Sequence, residues 1–156
     1  MRNGLIIVRL GRGIHEHFHI RLSEWIMVYP ALGMWFAFQY QPEMFSTSPS
    51  FETLRHWANE HTWGVLCLWC GVARLIALTV NGTFRAFSYS PHMRIAASFI
   101  GVAFWSQFSL GFLTASLAGN GAFSAVVAFS TFCLLELANV YRSWSDIGVQ
   151  RSRGSH

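Results

Sequence analysis

Four apolar runs, at about residues 23–40, 62–80, 95–117 and 122–141, decide what this chain can become. Each is close to the ~20 residues a helix needs to cross a hydrocarbon layer ~30 Å thick. Inside such a layer no water satisfies backbone N–H and C=O groups, so each run must close its own hydrogen bonds as a helix. Charges between the runs supply a direction. All eleven basic residues are arginine, and Arg2, Arg9, Arg12 and Arg21 precede the first run. Arg85 and Arg94 lie between the second and third, and Arg142, Arg151 and Arg153 follow the fourth. The 41–61 connection carries Glu43, Glu52 and Glu60 against Arg55 alone, and the connection between runs three and four carries no charge. That alternation is the positive-inside pattern of a four-span protein with both ends in the cytoplasm. The expected fold class is all-α: a polytopic membrane protein, a four-transmembrane-helix bundle in a bacterial inner membrane, N-in and C-in.

Composition narrows the function classes. With 53% hydrophobic and 12% charged residues the chain is too apolar for an ordinary soluble domain. The spans take up about half of its 156 residues, and the short connections leave no separate domain to enclose an active site. A net charge of +4 would suit a nucleic-acid binder. The arginines gather at span ends instead of along one face, so membrane lipids with anionic headgroups are the expected partners, and nucleic acid is not.

Local signals fill in the segments. In the leader, 1–22, Ile14, Phe18, Leu22 and Trp25 recur at helical spacing, with His15, His17, His19 and Arg21 on the other faces. This predicts an amphipathic helix at the cytoplasmic interface. Pro30 removes a backbone donor inside the first run and predicts a kink. Ser48-Pro49 followed by Glu52 reads as a helix start, placing Phe51, Leu54 and Trp57 on one face. Asn81-Gly82 reads as the end of the second span, Ser90-Pro91 as a turn, and 118–121 as a tight reversal, with a polar tail over 142–156. Small residues four apart recur as Gly33 and Ala37, Ala73 and Ala77, Ala97 and Gly101, and Ser124 and Ala128. Such pairs let helices approach closely in lipid, and predict self-association through span three or four.

Two full charges fall within spans, Arg74 in the second and Glu136 in the fourth. Counted back from Val80 and Tyr141 at about 1.5 Å per residue, both lie roughly 7–9 Å above the cytoplasmic boundary. An unpaired charge there costs on the order of 3 kcal/mol, so the two are expected to pair. Glu24 lies at a depth that allows it to join, and Asn139, one turn from Glu136, completes the cluster. His15-Glu16-His17-Phe18-His19 spells H-E-x-x-H, but the usual third-ligand positions hold Leu22 and Trp25. No catalytic residue, metal site or cofactor is therefore expected. Cys67 and Cys70 form a C-x-x-C inside a span and, with Cys133, read as small buried hydrophobes.

The run Ser23-Glu24-Trp25, then Phe45-Ser46-Thr47-Ser48-Pro49-Ser50-Phe51, Trp63-Gly64, Gly71-Val72-Ala73-Arg74-Leu75-Ile76-Ala77-Leu78, Asn81-Gly82 and Arg94 resembles small multi-span membrane proteins encoded by tailed phages and prophages. The likeness covers about residues 23–141. It implies a polar signature at Glu24 and Arg74. The function expected is a membrane effector, holin-like or infection-modulating, that oligomerises in the inner membrane. The alternative is a structural or accessory subunit of a larger membrane complex. Neither is an enzyme.

Overall fold

Helix is the only regular structure among the described residues, which in this computed structural model are 21–83 and 90–154. The chain runs α1 (Leu22–Ile26), α2 (Val28–Tyr40), α3 (Met44–Thr47), a 3-10 turn (Pro49–Phe51), α4 (Glu52–Trp57), α5 (Glu60–Thr83), α6 (Ser90–Leu117) and α7 (Phe123–Gly154). The expected interfacial helix and its His15, His17 and His19 lie outside the described residues.

Among the described residues three helices are long and apolar enough to cross a membrane: α5 over Glu60–Val80, α6 over Ser90–Leu117 and α7 over Phe123–Gly148. The shortest, 21 residues, extends about 31 Å at 1.5 Å per residue. The first apolar run forms a shorter unit. Its helix breaks at Met27, leaving α2 with 13 residues, about 20 Å. Pro30 is the physical cause, because its ring collides with the carbonyl four residues back, at Ile26, and it offers no N–H to that carbonyl.

Three boundaries differ from the sequence expectation. Asn81-Gly82 does not stop α5, which continues to Thr83. Ser90-Pro91 is not a turn but the first residues of α6; proline is tolerated there because first-turn N–H groups have no intrahelical partner. Arg94 is thereby carried into the helix. The segment after Tyr141 stays helical to Gly154, so much of the expected polar tail extends α7 beyond the apolar run. The reversal at 118–121 is as tight as expected. Gly119 takes φ +79°, its N–H bonds to Ser116 O at 3.0 Å, and Asn120 N–H bonds to Ala115 O at 2.9 Å. Those two bonds are a Schellman stop, which needs a left-handed residue and finds glycine.

The long helices pack in a chain of neighbours: α2 against α5, α5 against α6, and α6 most extensively against α7. Short α1 reaches both α5 and α7. Between them lies an aromatic core. Phe108 sits 5.2 Å from Trp63, 5.8 Å from Trp105 and 5.1 Å from Phe129, ring centre to ring centre. Phe38, Phe45, Phe51 and Phe112 extend the cluster toward the 41–59 connection. These spacings fall within the 4.5–7 Å range in which offset and edge-to-face rings attract. That connection folds inward on the bundle: Leu54 is buried, and its carbonyl accepts the Trp63 indole N–H at 3.0 Å. Trp57 does not share this burial and is largely exposed.

Candidate functional site

A seam of charged and hydrogen-bonding side chains runs along one end of this apolar bundle. It begins with Arg74 on α5 and Glu136 on α7, whose Nη2 and Oε2 are 2.5 Å apart. Both residues are buried, at 4% and 1% exposure. The Arg74 guanidinium also donates to Ser98 Oγ on α6 at 3.4 Å, and Asn139 Nδ2 donates to Glu136 Oε2 at 3.4 Å. Asn139 continues the seam by accepting from Ser23 Oγ at 2.6 Å, and Ser23 in turn accepts from Arg142 Nη1 at 3.0 Å.

A second ion pair lies beside the first. Glu24 does not join Arg74, contrary to the depth argument; it is taken by Arg94. The Arg94 Nε donates to both Glu24 oxygens, at 2.8 and 3.2 Å, and Nη2 donates to Oε1. Its remaining nitrogen, Nη1, reaches Asp146 Oδ2 at 2.6 Å. One guanidinium thus holds two carboxylates from two helices through its planar fork, which an ammonium group does not reproduce. Burying a charge is repaid only when its hydrogen-bonding capacity is filled, and here both buried carboxylates, Glu24 and Glu136, are multiply engaged.

Helix periodicity places these groups. On α7, Glu136, Asn139, Ser143 and Asp146 follow at steps of three, four and three, which is one face. On α6, Arg94, Ser98 and Gly101 do the same. Gly101 is not part of a free association face, as its pairing with Ala97 suggested. It is buried where α6 meets α7, and a Cβ there would stand 2.7 Å from Glu136 Cδ. The missing side chain makes room for the carboxylate. Gly101→Ala is therefore expected to push Glu136 off Arg74 and cost about 1–3 kcal/mol, the usual range for overpacking. Gly33→Ala, where no atom lies within 4 Å of the added carbon, should cost nothing. Equal unfolding midpoints of the two variants in detergent would contradict this account of Gly101.

The other expected small-residue positions divide. Ala73, Ala77 and Ala97 line a groove of about 310 Å³ between α5 and α6. Gly33 and Ala37 are half-buried, and Ser124 and Ala128 are exposed on α7. Cys67 lies in the core, while Cys70 and Cys133 are half-buried, all three as free thiols. Among the described residues no three His, Cys, Asp or Glu side chains gather closely enough to hold a metal ion.

Sequence reasoning missed Arg94 and Asp146. Arg94 looked like a topology marker because Ser90-Pro91 looked like a turn. Asp146 is the chain's lone aspartate in an otherwise basic tail. The three-four spacing that links it to Glu136 was the available signal. Comparison with protein-family models, with curated proteins and with solved structures finds no match to this chain. The geometry of the seam and the surface around it are what remain to argue from.

Proposed function

We propose that this chain is a four-span protein of a bacterial inner membrane that acts by associating with copies of itself, as a membrane effector of the phage and prophage kind, holin-like or infection-modulating. The observation that carries the proposal is that the four fully buried charges, Glu24, Arg74, Arg94 and Glu136, are spent within one protomer. Arg74 is matched by Glu136, and Arg94 by Glu24 and Asp146. The outward surface is left to groups such as Phe36, Trp69, Ile76, Phe99 and Leu134, each more than half exposed. Large exposed apolar side chains of that kind suit lipid or a partner far better than water. In this arrangement α1 and α2 together make the first crossing, with Tyr40 exposed at its far end, and α5, α6 and α7 make the others. Ser124 and Ala128 on α7 offer the small-residue face through which helices of neighbouring copies approach. No catalytic step belongs to this function.

The test is inducible expression in a bacterium with membrane potential and growth followed together, and particle mass measured in several mild detergents. The expected result is an oligomer that Ala128→Leu shifts to smaller mass, with a loss of membrane potential that the same substitution weakens. A wild-type particle that is monomeric throughout and accumulates silently would replace this function with that of an accessory subunit. Reporter fusions check the orientation: those after Tyr40 and Gly119 should read as periplasmic, and those after Gly82 and Tyr141 as cytoplasmic. A periplasmic C-terminus contradicts it.

A further inference from the structure

At the end of the seam, α1, α6 and α7 enclose a cleft of about 440 Å³ lined by Arg21, Glu24, Arg94, Tyr141, Arg142 and Asp146, among others. Its charges do not balance. Three guanidiniums face two carboxylates, and both carboxylates are committed to Arg94. Among the described residues Arg21 comes no nearer to an anion than 4.0 Å, from the same Asp146 oxygen that Arg94 already holds. Arg142 has a neutral partner, the Ser23 hydroxyl, at 3.0 Å. Among the described residues the cleft is thus short of one negative charge, with Arg21 lacking an anion at hydrogen-bonding distance and Arg142 donating to a neutral hydroxyl. Burial, together with the neighbouring Arg94, pushes the Arg21 guanidinium below its ordinary value despite Glu24 and Asp146.

We propose that this cleft binds the phosphate monoanion of an anionic membrane-lipid headgroup, gripped between Arg21 and Arg142. Guanidiniums match phosphate oxygens two at a time, and one monoanion restores neutrality. The location favours a lipid over a free ion. The cleft opens where the apolar part of α7 gives way to polar residues, beside the exposed Tyr141 ring. Tyrosine is enriched at that level of a membrane, and basic pockets between helices near it are headgroup sites. The proposal rests on the bundle meeting lipid and is independent of self-association, so failure of the oligomer tests leaves it standing.

The experiment is a titration of the intact protein in mild detergent with short-chain phosphatidylglycerol, with short-chain phosphatidylcholine, and with inorganic phosphate, read by native mass spectrometry. Phosphatidylglycerol should bind more tightly than phosphatidylcholine. Arg21→Gln and Arg142→Gln should each weaken it about fivefold, the worth of one arginine at a membrane surface. Arg55→Gln, exposed on α4, should leave it unchanged. Arg142 is exposed and outside both buried ion pairs, so its substitution carries the test even where Arg21→Gln fails to fold. Equal retention of the two lipids, or undiminished binding by Arg142→Gln, overturns the proposal. Displacement of the lipid by inorganic phosphate at matching concentration overturns the headgroup assignment and makes the cleft a free-phosphate site.

Discussion

Arg94→Leu is expected to cost the bundle about 3–5 kcal/mol, the penalty typical of leaving a buried ion without its partner. Glu24 is only 3% exposed and Arg94 fills both of its oxygens. Removing the guanidinium leaves that buried carboxylate without its ion-pair partner and releases Asp146 as well. Arg94→Lys should recover only part of the loss, because a single ammonium does not span Glu24 and Asp146 with the geometry of a planar fork. Reversible unfolding in mixed micelles, with helicity as the readout, measures the difference. A leucine variant within 1 kcal/mol of the parent would mean that the pair is not buried in the native protein.

The second large effect is a non-additive one. Glu136→Leu alone leaves the Arg74 charge buried against Ser98, a neutral partner at 3.4 Å, and should lose about 3–5 kcal/mol. Arg74→Leu alone leaves Glu136 with only Asn139 and Ser98 as polar neighbours and should lose a comparable amount. The double change to leucine at both positions should be more stable than either single variant, since two apolar side chains need no compensation. A double-mutant cycle in which the two losses simply add would show that the side chains do not depend on each other.

Much of this was legible in the sequence, for reasons that differ from element to element. Apolar runs of sufficient length specify α5, α6 and α7 almost by themselves, because in lipid the backbone has no alternative. Arg74 and Glu136 were found as a pair because a charge inside such a run demands a partner and the other full charge within a span lay at the same depth. The same reasoning misplaced Glu24. Depth alone does not say which helices are neighbours, and the nearer cation, Arg94, was hidden by reading Ser90-Pro91 as a turn. Local propensity at that point is ambiguous, since the same dipeptide starts helices as readily as it starts turns. The break at Met27 followed from Pro30. That the resulting piece, α1, would swing its Ser23 and Glu24 toward α7 and α6 did not, for packing between distant segments leaves no mark on local spacing. Gly101 was legible as a close-approach residue, but not what approaches it.

The bond between Glu24 and Arg94 spans 70 positions of chain, and that distance is also a delay. A ribosome adding about 5–20 residues per second takes roughly 4–14 s to cover it. Throughout that interval α1 exists with Glu24 and without Arg94, its partner in the folded bundle. Its final seat, against α5 and α7, is not available until the last helix has been made. Among the described helices, α1 is therefore made well before the two faces that hold it. Until then the Glu24 carboxylate has to be satisfied by water or by some other polar group, since a buried charge without a partner is costly.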